Sequence, residues 1–290
     1  MPSLKEIKGR IGSVKSTLKI TSAMKLVASA KLRKAQNAIA ALRPYERALG
    51  GIFQALGTGF KTRFSENREN PENVVIIALA SNSSLCGGFN AAAVHETISA
   101  IDSYKGKVEV ISIGRKMADN MKKIGYPSLK DWHGLSEHPE YNAAAEIVED
   151  LMERFEDGKL DRVEIVYNHF ISNSTQKPVR EVLLPIISAD PSGASAVIPG
   201  DSEESLPPDI IIEPSPEEAY MALLPKTLKL KLYAALLDSA AAEHAARTVA
   251  MQTATDNGED LLDELTLEYN KGRQQKITSE LLDIVGGTLK

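Results

Sequence analysis

Residues 4–43 read LKEIKGRIGSVKSTLKITSAMKLVASAKLRKAQNAIAALR, and one seam runs through them. Ile7, Ile11, Val14, Leu18, Thr21, Lys25, Ala28, Leu32, Ala35, Ile39 and Leu42 follow one another in alternating steps of four and three. That spacing averages about 3.5 residues, the period that keeps one stripe of a helix facing a partner helix in a left-handed coiled coil. No proline interrupts residues 3–43. The seam falters only at Thr21 and Lys25, where Ile20, Met24 and Val27 make a second stripe. A long helix with so narrow an apolar face needs a partner to cover it.

The other end of the chain supplies one. No proline follows Pro225, and Ala, Leu, Glu, Lys and Gln, all good helix formers, are abundant there. Leu228, Leu232, Ala235, Ser239, Ala242, Ala246 and Val249 continue the four-three stepping, with small residues that let two helices approach closely. Ser215 is placed to cap this helix, Pro216 suits its first position, and Glu217 and Glu218 complement its positive end. Gly286 and Gly287 supply a stop.

A helix from Pro216 to Val285 would extend roughly 105 Å, against about 80 Å for the N-terminal one carried past Pro44 to Leu56. Both are tied to the middle of the chain at their inner ends, so they pair antiparallel and the C-terminal helix overhangs Met1. Leu262, Leu265, Ile277, Leu281, Ile284 and Val285 lie on that overhang with no intrachain helix expected to cover them. An exposed apolar tip of this kind marks an interaction surface.

The middle of the chain has a different rhythm. Val74–Ala80 is a continuous apolar, β-branched run, as in a strand buried on both faces. Helical patterns through 91–101, 117–124 and 141–155 alternate with strands at 108–113 and 163–170. The alternation predicts a mostly parallel, Rossmann-like sheet covered by helices. Residues 179–186, bracketed by Pro178 and Pro185, read as an edge strand. Residues 187–209 are rich in Pro, Ser, Gly and acids and read as a linker or surface loop. The organisation expected is an N-terminal coiled-coil helix (1–58), an inserted α/β domain (72–190), a linker (191–212) and a C-terminal coiled-coil helix (213–290).

Composition narrows the function classes. Apolar residues make up 43% of the 290, enough for an ordinary soluble core, and no run is long enough to span a membrane. The lone Cys86 excludes an internal disulfide framework and fits a reducing compartment. Residues 1–43 carry ten basic side chains against Glu6 alone, a net +9 against −14 for the remainder. So one-sided a helix points to an anionic partner, whether nucleic acid, lipid or an acidic protein surface.

Active-site signals are weak. Leu85-Cys86-Gly87-Gly88-Phe89-Asn90 sits at a strand-to-helix turn, where many α/β folds hold phosphate, yet neither a GxxxxGK[ST] loop nor a GxGxxG fingerprint is present. Lys15-Ser16-Thr17 lacks the glycines of a phosphate loop. Cys86 has no neighbouring base and reads as a buried structural thiol. His133 and His138 have no further ligand pair, His95-Glu96 lacks the second histidine of HExxH, and His244 is expected on an exposed or partner-facing side of its helix. No catalytic, cofactor-binding or metal-binding residue is assigned.

Several stretches resemble the gamma-subunit family of F-type ATP synthases, in its bacterial type. They are Lys19-Ile20-Thr21-Ser22-Ala23-Met24-Lys25-Leu26-Val27-Ala28-Ser29-Ala30-Lys31-Leu32, Leu85-Cys86-Gly87-Gly88, and Glu213-Pro214-Ser215-Pro216-Glu217-Glu218. Others are Ala245-Ala246-Arg247-Thr248-Val249-Ala250-Met251, Ala254-Thr255-Asp256-Asn257, Leu267-Glu268-Tyr269-Asn270-Lys271-Gly272-Arg273-Gln274, Ile277-Thr278-Ser279-Glu280 and Ile284-Val285-Gly286-Gly287. The resemblance implies a non-catalytic rotor shaft that couples proton-driven rotation to ATP synthesis and hydrolysis at the beta subunits. Its implied partners are the alpha and beta subunits, the epsilon subunit and the membrane c-ring, with no nucleic acid and no cofactor. It places the chain peripherally on the cytoplasmic face of the bacterial inner membrane, touching membrane only through the complex. It also assigns Met24, Lys25, Arg247, Gln252, Arg273, Gln274, Thr278 and Glu280 to contact with the alpha–beta hexamer, Met24 and Lys25 near an acidic lever segment of beta.

There are departures from the family pattern. Ser81-Asn82-Ser83-Ser84 replaces a more usual charged approach to the Cys-Gly-Gly turn, Gln252 stands where many members carry lysine, and Gly272 replaces a common alanine at about 1 kcal/mol of helix propensity. A paired-cysteine redox switch is absent, and a start directly on the first helix favours a bacterial origin over an organelle precursor. Two other readings stay open at this point: a basic coiled-coil scaffold for nucleic acid or another anionic partner, and an α/β enzyme with helical dimerisation arms and a ligand near Gly87 and Gly88.

Overall fold

The computed structural model describes residues 3–56, 62–66, 68, 70–186 and 212–287. The segment expected to be a linker, 187–209, lies outside the described residues. Helix α1 spans Leu4–Leu56, with Pro44 inside it. The N–H of Glu6 donates to Ser3 Oγ (3.2 Å) and that of Ile7 to the Ser3 carbonyl (3.0 Å), which caps its first turn. Then come β1 (Asn73–Leu79), α2 (Phe89–Asp102), β2 (Lys107–Ile113), α3 (Arg115–Lys123), α4 (His133–Glu137), α5 (Tyr141–Glu156), β3 (Arg162–Phe170), β4 (Gln176–Leu184) and α6 (Pro216–Gly287). Ser215 caps α6 as its sequence predicts, taking the Glu218 N–H at 3.2 Å.

Two compact units result: Met1–Ala28 with Arg247–Lys290, and Ser29–Ala246. In the larger one the sheet runs β2-β1-β3-β4, with β1 parallel to both neighbours and β4 antiparallel on β3. Pro178 does not bracket the edge strand but lies within it, opposite Asn168. An edge strand tolerates it because one side of its backbone has no ladder to complete.

Side chains alternate across the sheet by the two-residue pleat. Val75, Ile77, Leu79, Val163, Ile165 and Tyr167 pack with α5, with the end of α1 (Phe53, Leu56) and with α6 (Leu224, Leu228, Leu232). Val74, Ile76, Ala78 and Val166 face α2 and α3 through Ala93, Ala100, Met117 and Met121. Both faces are covered, hence the unbroken apolar run in β1. The short α4 had no periodicity to announce it.

In the smaller unit, α1 and α6 pair antiparallel. The hydroxyls of Thr21 and Thr255 meet at 2.9 Å, and Lys25 Nζ donates to Gln252 Oε1 at 2.6 Å. A Cβ at Gly258 would lie 2.7 Å from Leu18 Cδ2, and one at Gly272 would lie 3.1 Å from Leu4 Cδ2. As α1 positions fall, α6 positions rise, so this register sets Val14 level with Leu262 and Ile11 level with Leu265.

Candidate functional site

The switch point of a doubly wound sheet is the usual place to look for a ligand, in the crevice outside the carboxyl ends of its strands. Here that point is the end of β1, between β2 and β3. The turn that follows contains Leu85 at φ 68° and Gly87 at φ 58°. Ser81 N–H donates to Asn90 Oδ1 (3.0 Å), Ser81 Oγ donates to the Ser83 carbonyl (2.6 Å), and Asn90 Nδ2 donates to Cys86 Sγ (3.2 Å). Asn82 bridges outward, accepting the Arg115 N–H (2.9 Å) and donating to the His133 carbonyl (2.9 Å). The uncharged Ser-Asn-Ser-Ser approach is thus a closed set of internal bonds.

Cys86 and Phe89 are buried against Ala242 and Ala246 of α6, with Phe170 from the end of β3 beside them. Helix α6 therefore seats against the turn where an α/β enzyme would hold phosphate. One helical step away, Ala241 and Ala245 pack on Leu32 and Ala35 of α1. Alanine on both sides lets α6 fit between the sheet end and α1. His244, expected on an exposed or partner-facing side, is instead buried, because α6 is enclosed all round at this level.

A cleft of about 220 Å³ beside β2 is lined in part by Glu109, Ile111, Trp132, Ile147 and Arg154. Its charges are already matched, Arg154 reaching Glu109 at 2.7 and 3.3 Å. The Glu109 hydrogen bond in turn raises the Arg154 pKa. Among the described residues no cluster of three His, Cys, Asp or Glu side chains is arranged to hold a metal.

The eight residues assigned to partner contact fall into two groups. Lys25 and Gln252 bond to each other, and Gln252 Nε2 donates on to Asp256 Oδ1 at 2.6 Å. An ammonium has three protons, so Lys25 keeps donors for another acceptor. Met24 and Arg247 are half-buried on the same unit. Arg273, Gln274, Thr278 and Glu280 lie on the last turns of α6, all exposed, with Thr278 Oγ1 on the Gln274 carbonyl (2.9 Å) and Glu280 near Lys276 (3.7 Å).

Two features differ from the sequence expectation. The second stripe does not take over the seam, because Thr21 stays buried and bonded while Ile20 and Val27 are 59% and 58% exposed, with Leu26 bare beside them. Those three are the functional candidates that sequence reading passed over, and their signal was an apolar run among lysines. The overhang is also shorter than expected. Leu265 is buried and Leu262 half-buried, since α1 reaches as far as Gly272. Beyond it Ile277, Leu281, Leu282 and Ile284 are uncovered, Ile284 to 66%.

One unit of antiparallel terminal helices with a narrow seam, and a second, Rossmann-like unit whose crevice is filled by the chain's own helix, define the class. Residues 3–289 match the family model described as ATP synthase. The ATP synthase gamma chain of Phocaeicola vulgatus is 47% identical over 100% of both chains, and that of Bacteroides thetaiotaomicron 43% identical over 100% of both. The gamma chain of Flavobacterium psychrophilum is 41% identical over 99% of this chain and 98% of its own. Among solved structures, a chain of the Euglena gracilis mitochondrial ATP synthase OSCP/F1/c-ring complex shares the fold with a TM-score of 0.67, at 21% identity over 99% of this chain and 93% of that one. The chain belongs to the ATP synthase gamma-chain family.

Proposed function

We propose that this chain is the central rotor shaft of a bacterial F1Fo ATP synthase and holds no catalytic residue of its own. The observation that carries the reading is the bare apolar end of α6 beyond Gly272, set above a collar where Ile20, Leu26 and Val27 stand exposed among lysines. Fixed apolar surfaces of this size need a protein sleeve. The alpha–beta hexamer supplies it, with Arg273, Gln274, Thr278 and Glu280 meeting the sleeve near the tip. Met24, Lys25, Arg247 and Gln252 meet the acidic lever of beta at the collar.

The coupling follows from asymmetry. One shaft presents different side chains to three otherwise equal catalytic subunits, so each is biased toward a different conformation. Rotation passes that bias from one subunit to the next. A filled crevice at the switch point supports a shaft seat over a nucleotide site. The c-ring and epsilon subunit are the partners at the membrane end. The complex sits on the cytoplasmic face of the inner membrane; among the described residues, no helix of this chain is long and apolar enough to cross it.

Nucleic acid is a poorer match, because phosphates offer nothing to bury Ile20, Leu26 and Val27. Reconstitution tests the reading. Full-length chain added to separate alpha and beta subunits gives a complex holding one copy of it, with stimulated ATP hydrolysis. Competent alpha and beta subunits that ignore the chain would overturn it.

A further inference from the structure

Away from the collar and tip, the larger unit holds a cluster of titratable side chains where the sheet meets α6. His169 Nδ1 lies 2.6 Å from Asp238 Oδ2, and the other oxygen, Oδ1, accepts the Phe170 N–H at 3.2 Å. One buried carboxylate of α6 thus grips two successive residues at the end of β3. Strand β3 also contributes Tyr167, whose hydroxyl donates to Glu181 Oε1 of β4 at 2.7 Å. From α6, Lys231 Nζ stands 3.6 Å from Glu181 Oε2. From β4, Lys177 is the cross-strand neighbour of His169. From α1, Glu46 feels the charge of Asp238 and is itself offset by Arg43.

Asp238 and Glu181 therefore lend negative charge to the imidazole, with Lys231 committed to Glu181. We propose that His169 and Asp238 form a proton-operated clasp between the β3–β4 hairpin and α6, tight when the imidazole is charged and loosened when it is neutral. Phe170 transmits the change, because its ring packs among the alanines of α6 and beside Cys86 and Phe89.

The hydrogen bond to Asp238 holds the His169 pKa above its ordinary value, against the opposing effect of burial. A group raised in the folded state contributes stability that is complete below its unfolded pKa of about 6.5 and is lost as pH rises through the folded value. Burial pushes Asp238 up from its own ordinary value, with the His169 bond opposing, so the carboxylate gains most from an imidazolium at its side.

The test uses the full-length chain with isotope-labelled histidine, titrated by NMR, together with amide exchange at Phe170 corrected for intrinsic rates. His169 titrates above the ordinary histidine value, and Asp238→Asn returns it to that value. Protection of the Phe170 amide falls roughly fivefold between about pH 6 and pH 8.5, as the imidazolium–carboxylate ion pair gives way to a neutral imidazole on the same carboxylate. His169→Gln abolishes that dependence. If His169→Gln fails to fold, the wild-type titration and exchange decide alone. A His169 that titrates at or below the ordinary value, or a His169→Gln chain with the same pH dependence, would overturn the clasp.

Discussion

From Leu228 to Ala246, helix α6 has nearly every side chain buried, whereas from Arg247 onward only one position in three or four is covered, and past Gly272 none is among the described residues. The first stretch is hemmed by the sheet, by the Cys86 turn and by α1, so it is built of Ala and Leu, with polar groups such as Asp238 individually bonded. The second pairs with α1 along Met251, Thr255, Gly258, Leu262, Leu265, Tyr269 and Gly272, again in steps of four and three. One helix thus serves as a core element over one length and as half of a coiled coil over the next.

That contrast is sharpest under overpacking. Ala242→Leu, at a fully buried site, is expected to lower unfolding free energy by about 1–3 kcal/mol in urea titration, while Ala254→Leu, on the open side of the seam, changes it little. Equal effects at the two sites would erase the distinction. Next in size comes Gln252→Leu, which removes the acceptor of Lys25 and the donor to Asp256. Two partly exposed hydrogen bonds predict a loss of about 1 kcal/mol. A neutral result would mean that the polar layer adds nothing to the pairing.

Gly272→Ala goes the other way. Helix propensity favours alanine by up to about 1 kcal/mol, and the opposing contact is the end of the Leu4 side chain, which can turn aside. A modest gain in helix content by circular dichroism is expected. At Gly258 the contact with Leu18 is closer, so the gain from alanine there is smaller. Smallest in stability is Arg273→Ala, exposed and outside the pairing, with a change within about 0.5 kcal/mol. A loss in the coupling of ATP turnover to rotation is the predicted effect. Matching losses in helix melting and coupling would count against a contact role.

Much of this was legible in residue spacing. The seam from Ile7 to Leu42, the Ser215 cap and the strands around Val74 and Val163 are local or periodic signals, and the structure reproduces them. Thr21 and Lys25 misled because hydropathy treats a polar residue as a break, while each found a polar partner across the seam. The length of the overhang depended on register, which Leu18 against Gly258 and Leu4 against Gly272 fix only in three dimensions. The His169–Asp238 contact joins residues 69 positions apart and left no trace in sequence. Of the collar side chains, Ile20 and Val27 were visible as a stripe and Leu26 was not, and their exposure was hidden, since an apolar stripe reads the same whether a partner helix covers it or solvent does.

The most direct test of the rotor is to watch it turn. Leu129, 85% exposed in the α/β unit, can be replaced by cysteine to carry a bead, since the native Cys86 is buried. With the alpha–beta hexamer fixed to a surface and ATP added, the bead on Leu129→Cys is predicted to rotate continuously in one direction. A bead that stays still or only diffuses, while the bound hexamer hydrolyses ATP at its full rate, would contradict the account.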